Sequence, residues 1–482
     1  MGKLIKRLEF GVKVLSSISK YLKYLGLGII GTTGAIAASR FAIKQATRYV
    51  GTQLMNDDYE HNLLEFYSAA KRVGLQTIAE TNLRAEFGKT IERPLGSPRQ
   101  LTHFDDLMFR TAVLSKAPTP ITCEVDTTTV IGKRCKRPMT LSMPIIVSGM
   151  AAGLGLSKQA KYALAKGAAI AGTASNTGEG PVLPFERRLA KNLIIQYGRG
   201  TWSKDPAVFQ QADMIEIHLG QGASASIGYI IDSKFIDEEL RKMLELQPGE
   251  RAIVESTDPK RFRRLVPYLK EISDGIPIGC KFGFSDHLEE DIDIALEAGV
   301  DILALEGSQA ATKGAPPILS DDFGLPTIIG LTRAVKHLKL RGMKDKVDLI
   351  VSGGLFTPGH FLKAIALGAD AVYIGSIALF AMTHKQVFKS LPWEPPTQVV
   401  WYSGKHKNRF NWSEGAKALS RFLIACNEEI KEGIMALGKT SIKEVDRNDL
   451  VAIDPKAAKI CDLPLAYEDI PIRNRTPLKD LE

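Results

Sequence analysis

The sequence predicts an α/β protein built on a closed (β/α)8 barrel, and three observations carry that prediction. From residue 143 onward, eight short apolar runs alternate with stretches of helical character. The runs are continuous rather than alternating, as buried parallel strands read, and the intervening helices supply right-handed crossovers. Polar residues and glycines gather at the C-terminal ends of the runs, where barrels of this kind build their sites.

The runs are 143–148 (MPIIVS), 169–174 (AIAGTA), 192–197 (NLIIQY), 213–219 (DMIEIHL), 276–282 (IPIGCKF), 301–306 (DILALE), 347–352 (VDLIVS) and 371–375 (AVYIG). Helices are expected over 157–167, 287–298, 328–341 and 359–367. Eight such units favour a closed barrel over an open doubly wound sheet.

The strand ends read Ser148-Gly149-Met150, Ser175-Asn176, Gln196-Tyr197-Gly198-Arg199, His218 with Gln221, Lys281, Glu306-Gly307, Ser352-Gly353-Gly354 and Gly375-Ser376. One such cluster is explained by loops beginning with Gly and Ser; eight at the same end are not. The last two suit a phosphate, because glycine admits an anion close to backbone N–H groups. FMN is the favoured ligand there, with a phosphosugar or another nucleotide as the alternative.

The rest of the chain divides into a lead-in and a tail. Residues 1–50 hold nine Lys/Arg and one acid, Glu9, so they contribute +8 of the net +9. The body, near neutral, offers no nucleic-acid groove. Leu4, Leu8, Leu15, Ile18 and Leu22 share one helical stripe among basic residues, as in helices that lie on anionic membrane surfaces. An uncharged run of 16 residues follows, Tyr24 to Ser39, short of the roughly 20 that a spanning helix wants. A membrane anchor is expected of residues 1–50, with a helical extension packed on the barrel or on a second subunit as the alternative. The expected location is the cytoplasmic face of a membrane, peripheral or by a single N-terminal anchor, and otherwise the cytoplasm.

Residues 51–140 form a helical and short-strand lead-in, in which Leu63, Leu64, Phe66, Tyr67 and Leu75 are expected packing positions and 93–140 covers one end of the barrel. The barrel occupies 141–390. A C-terminal extension, 391–482, carries a helix over 413–436 with Ala416, Leu419, Phe422, Leu423, Cys426 and Ile430 on its apolar stripe. It could cap the barrel or contact a partner. Five scattered cysteines, Cys123, Cys135, Cys280, Cys426 and Cys461, make neither a disulfide framework nor a zinc site, and no metal site is expected.

At Ser175-Asn176-Thr177-Gly178-Glu179-Gly180 the sequence becomes specific. Together with Ser148-Gly149-Met150, Gln196-Tyr197-Gly198-Arg199-Gly200, Glu216-Ile217-His218-Leu219-Gly220-Gln221-Gly222-Ala223, Lys281 and the 352–376 phosphate end, it resembles the FMN-binding synthase domain of glutamate synthases. The resemblance covers about residues 95–380, over half the chain, and is nearest to stand-alone glutamate synthase-like proteins without an amidotransferase part. It implies a reduction of 2-iminoglutarate, formed from 2-oxoglutarate and ammonia, by reduced FMN. Ser148, Gly149, Met150, Ser175, Asn176, Gln196, Gln221, Lys281, Ser352, Gly353, Gly354, Gly375 and Ser376 would then hold the cofactor. Lys281 would stabilise the anionic reduced ring, Arg199 would take a substrate carboxylate, and Glu179 and Glu216 would handle protons or position substrate. For Arg199 and Glu216 an ordinary ion pair at the barrel mouth is the alternative.

Three departures from the family limit the implication. Its 3Fe–4S cluster uses three closely spaced cysteines after the last strand, and Ile377 to Trp401 contains none, so no such cluster is predicted. No N-terminal cysteine nucleophile or glutaminase-sized region precedes the barrel, so ammonia from outside the chain or a glutaminase partner is expected. The family lysine after Gln-Gly-Ala is Ser224 here, and its Gly-Gly-Thr-Gly loop reads Ala310-Ala311-Thr312-Lys313-Gly314. The oxo acid and electron donor are therefore open, and a homo-oligomer is expected. The competing functions are a reductase of another imine or oxo acid, and a non-catalytic, membrane-associated flavoprotein electron carrier.

Overall fold

The computed structural model describes residues 37–256 and 258–468. Within 37–91, residues 37–56 are helical (α1), followed by α2 (Leu64–Val73) and α3 (Leu75–Phe87). The expected packing positions Leu63, Leu64, Phe66, Tyr67 and Leu75 are all exposed, which corrects the sequence reading. Both α2 and α3 lack any buried residue, so the apolar side chains of these short helices find no core. Most of the run from Tyr24 to Ser39, and the whole basic stripe before it, lie outside the described residues. Among the described residues no helix is long and apolar enough to cross a membrane.

Residues 92–468 form the second unit. Before the barrel come β1 (Leu107–Phe109) and a hairpin of β2 (Thr129–Ile131) and β3 (Met139–Leu141). The barrel strands are β4 (Ile145–Val147), β5 (Ala174–Asn176), β6 (Asn192–Tyr197), β7 (Met214–His218), β10 (Ile278–Gly283), β11 (Ile302–Glu306), β12 (Asp348–Ser352) and β13 (Ala371–Ile374). They pair in that order, all parallel, and β13 closes on β4. Between β7 and β10 the chain inserts an antiparallel ribbon, β8 (Tyr229–Ile231) with β9 (Ala252–Val254).

Seven strands fall within one residue or two of the predicted runs. The second does not: α4 (Lys158–Ala171) continues through the first half of the 169–174 run, and the strand starts at Ala174. The run is alanine-rich and extends the helix until Gly172, at φ +78°, ends it in the left-handed conformation. The sheet then begins as soon as register allows.

Alternation along the strands sorts side chains into two cores. Ile146, Ala174, Ile194, Met214, Ile302, Ala304, Ile350, Ala371 and Tyr373 fill the barrel interior together with Ile131, Met139 and Leu141 of the hairpin. The hairpin thus closes the barrel's N-terminal end, and Gly132 N–H donates to Asp348 at the start of β12. Neighbouring residues such as Ile215, Ile217, Leu303 and Val372 face the surrounding helices. On β7, Met214 points inward and Ile215 and Ile217 outward, so Glu216 and His218 share the interior face toward the open, C-terminal end.

The C-terminal residues are integrated into this unit. The long helix Trp412–Ala436 lies along α4, where a Cβ on Gly167 would sit 3.0 Å from the Ala416 carbonyl oxygen. A last strand, Leu450–Ala452, pairs antiparallel with β1, which binds the lead-in to the tail.

Candidate functional site

The floor of the open mouth is organised by Glu216, which is fully buried. Its Oε1 accepts from Asn176 Nδ2 and Gln196 Nε2, each at 2.8 Å, and its Oε2 accepts from the Tyr373 hydroxyl at 2.7 Å. Three strands therefore send donors to one carboxylate, which satisfies a charge that would otherwise be costly inside the barrel. Burial and the Glu216 carboxylate push the Tyr373 phenol well above its usual range, so it stays a donor. The sequence reading passed over Tyr373 as strand filler. Its signal was a lone hydroxyl on an aliphatic, inward-facing strand position, where a buried tyrosine needs a partner.

Next to this hub lies a charged pair. Lys281 Nζ stands 3.0 Å from Glu306 Oε1, and both side chains are buried. Glu306 also accepts from Ser352 Oγ at 2.7 Å and from the Gly222 amide at 3.0 Å. Burial alone would lower the Lys281 pKa, but Glu306 and Glu216 outweigh it and raise it, so Lys281 is a fixed cation. Burial acts to raise Glu306, and Lys281 and Ser352 hold it below the usual carboxylate range. Ser352 is thereby turned toward the charge network rather than toward the loop that follows it.

Arg199 and Glu179 form the second pair, higher in the mouth. Nε donates to Glu179 Oε1 at 2.9 Å and Nη2 to Oε2 at 3.2 Å, while Nη1 donates to the carbonyls of Ser226 and Ile227 at 3.2 and 3.1 Å. The guanidinium fork assigned from sequence to a substrate carboxylate is engaged by Glu179, the mouth ion pair held open as the alternative. Burial works to raise the Glu179 pKa, and His218 and Arg199 more than offset it.

One buried polar atom on the interior face, His218 Nδ1, makes no hydrogen bond among the described residues and stands 3.9 Å from Glu179 Oε1. His218 is level with Lys281 across the β7–β10 pairing. Burial pushes its imidazole pKa down. A buried imidazole nitrogen without a hydrogen bond, level with a fixed cation, is what a polar ring system with a hydrogen-bonding edge could complete.

The loops supply the remaining predicted residues. Ser148, Gly149 and Met150 follow β4, and the Ser148 amide continues the ladder to Ile374. Gly178 stands at φ +71°, and a Cβ there would meet Ala151 N at 2.5 Å, so the loops after β4 and β5 touch through glycine alone. Gly353 and Gly354, at φ +111° and +70°, turn the chain after β12. Gly375 and Ser376 open an eight-residue helix, Ser376–Thr383. Gln221 donates from Nε2 to Ser224 Oγ at 3.1 Å and Thr312 Oγ1 at 2.9 Å, tying together the two loops that depart from the family pattern. A cavity of about 500 Å³ opens beside Gln221 toward Phe262, Phe282 and Phe284, but Lys281, Glu216 and Arg199 do not line it.

Comparison with known proteins bears on what this mouth is for. Residues 91–440 match the family model described as "Conserved region in glutamate synthase". The chain is 32% identical over 418 residues to the glutamate synthase large subunit-like protein of Rhizobium meliloti, covering 81% of this chain and 93% of that one. It is 31% identical over 320 residues to the archaeal glutamate synthase [NADPH] of Archaeoglobus fulgidus, covering 64% of this chain and 61% of that protein. An archaeal-type glutamate synthase [NADPH] of Dehalococcoides mccartyi is 28% identical over 340 residues, with 68% and 67% covered. The matched region contains the whole barrel, the Glu216 hub and both charged pairs, and the chain belongs to the glutamate synthase family of oxidoreductases.

Proposed function

We propose that this chain is an FMN-dependent, glutamate synthase-like oxidoreductase that forms glutamate from 2-oxoglutarate and ammonia through 2-iminoglutarate. The observation that carries the reading is the buried Lys281 cation at the C-terminal mouth, level with His218, whose Nδ1 makes no hydrogen bond among the described residues. Ser148–Met150, Ser175, Asn176, Gln196, Gln221 and Lys281 would hold the flavin ring and ribityl chain, and Gly353, Gly354, Gly375 and Ser376 its phosphate. Bound FMN supplies a two-electron hydride donor. Lys281 supplies preorganised positive charge where negative charge develops. Glu216 keeps Asn176 and Gln196 fixed, so their amide groups are oriented before any ligand arrives. Arg199 binds the oxo acid's carboxylate if that carboxylate displaces Glu179, leaving Glu179 as a proton-handling group.

Ammonia comes from outside the chain or from a glutaminase partner, and the reduced nicotinamide named for two relatives is the first electron donor to try. A second reading is favoured by one observation: the Arg199 fork is already filled. That suits an imine or oxo acid without a second carboxylate.

The test is anaerobic. The flavin is reduced, 2-oxoglutarate and ammonium are added, and absorbance is followed near the oxidised flavin band while glutamate is assayed. Reoxidation with glutamate formed is expected. Bound flavin that is not reoxidised by these substrates, but is by another imine, would replace this reading with the second.

A further inference from the structure

Among the described residues one group of metal-ligand type lies outside the mouth network: His103, Asp105 and His360, with ligand atoms within 4.8 Å of one another. Its hydrogen bonds argue against a metal. The Phe356 amide donates to His360 Nδ1 at 3.2 Å, and a backbone N–H can only donate. His360 Nε2 therefore carries the proton and meets Asp105 Oδ1 at 2.7 Å, with no lone pair to offer. His103 Nε2–H donates to the Gly354 carbonyl at 2.7 Å, and Nδ1 stands 3.2 Å from Asp105 Oδ2, a contact that is a hydrogen bond when the ring carries both protons.

Both ends of this relay fall on the glycine loop after β12, at Gly354 and at Phe356. The lead-in that supplies His103 and Asp105 is itself fixed. Phe104 between them is fully buried, its carbonyl accepts from Lys363 Nζ at 2.9 Å, and the His103 amide donates to Asp106 at 2.9 Å. Among the described residues the amides of Gly353, Gly354 and Leu355 donate to no protein group. Successive free N–H groups in such a turn make an anion-binding concavity. A planar trans peptide points its carbonyl and its N–H in opposite directions. Holding the Gly354 carbonyl on His103 thus turns the Leu355 N–H the other way.

We infer that His103, Asp105 and His360 are positioning residues for the phosphate group of the bound nucleotide, acting as a clamp that fixes the amides of residues 353–355 before the anion binds. The inference rests on the flavin-phosphate reading above. It extends the site to a segment ahead of the barrel that carries no glycine-rich motif and reaches the mouth only through the loop after β12.

The experiment measures dissociation constants of the full chain, stripped of flavin, for FMN and for riboflavin, which lacks the phosphate. His103→Ala should weaken FMN about tenfold, the effect of losing one hydrogen bond's ordering of the loop. Riboflavin affinity should not change. His103→Gln, which restores a donor for the Gly354 carbonyl, should recover most of the loss. Asp105→Asn, at an exposed side chain, gives the same readout if His103→Ala does not fold. Unchanged FMN binding, or FMN and riboflavin weakened together, would overturn the clamp. A wild-type protein that binds both flavins equally would remove the phosphate site itself and with it the reading beneath.

Discussion

Tyr373, on the last barrel strand, reaches across the interior to Glu216, on the fourth, and gives it a 2.7 Å hydrogen bond. Neither residue is near the other in sequence, and both are sealed from solvent. The pair locks the closing strand to the hub that also holds Asn176 and Gln196. Tyr373→Phe removes one donor from a buried carboxylate and should destabilise the protein by about 1.5–3 kcal/mol, the range for hydrogen bonds to charged groups. Urea unfolding would measure it; a change under about 0.5 kcal/mol would mean that Glu216 does not depend on the tyrosine.

Behind Asn176 lies a pair with a different balance. Lys161 and Glu186 are fully buried 3.1 Å apart, and Lys161 also donates to the Asn176 carbonyl at 2.8 Å. Burial pushes the lysine pKa down and the glutamate pKa up, each only partly offset by the other charge. Lys161→Met should cost about 3–5 kcal/mol by stranding Glu186, whereas Lys161→Met with Glu186→Leu should recover most of that loss. A double variant as unstable as the single would show that the Asn176 contact, and not the stranded charge, dominates.

The thiols should divide sharply. Burial raises Cys135 and Cys426 to about 12 and Cys461 to about 11, and pushes Cys280 up as well, while Cys123 is exposed. Since the thiolate is the reactive form, a disulfide reagent should titrate exposed Cys123 quickly in the native protein, half-buried Cys135 more slowly, and the three buried thiols only on unfolding. Three or more thiols reacting before unfolding would contradict the burial described. The same preparation should contain no stoichiometric iron or labile sulfide.

Lys204 offers a pH dependence with a definite sign. Its ammonium lies 3.6 Å from the Tyr197 ring centre, and burial together with Arg261 depresses its pKa from the ordinary 10.5 to about 7. Between those values the unfolded chain holds the proton more tightly than the folded one. Stability contributed at this site therefore rises as pH increases from about 7 toward 10.5 and is flat below 7. The wild type should gain on Lys204→Met across that window in denaturant unfolding; parallel curves would mean that the lysine is not buried in solution.

Much of the barrel was legible because its signals are local. Each strand is a short apolar run, several crossover helices carry their own cap, as with Ser157 and Thr357, and the loop after β12 opens with the two glycines that its turn needs. Where two local signals competed, the sequence misled: the alanine-rich run at 169–174 reads as strand by hydrophobicity, but it continues a helix until Gly172 stops it.

What the sequence determined by itself is the family, the order of the strands and the end of the barrel that carries the chemistry, since these follow from residue type and spacing along the chain. Tertiary structure decided which charges face which. Arg199 meets Glu179, Lys281 meets Glu306, and Tyr373 with Asn176 and Gln196 meets Glu216. His103, some 250 residues before Gly354, comes to hold its carbonyl. Such pairings depend on barrel closure and strand register, which bring together residues from distant segments. No periodicity along the chain encodes which of several buried acids a given cation will find.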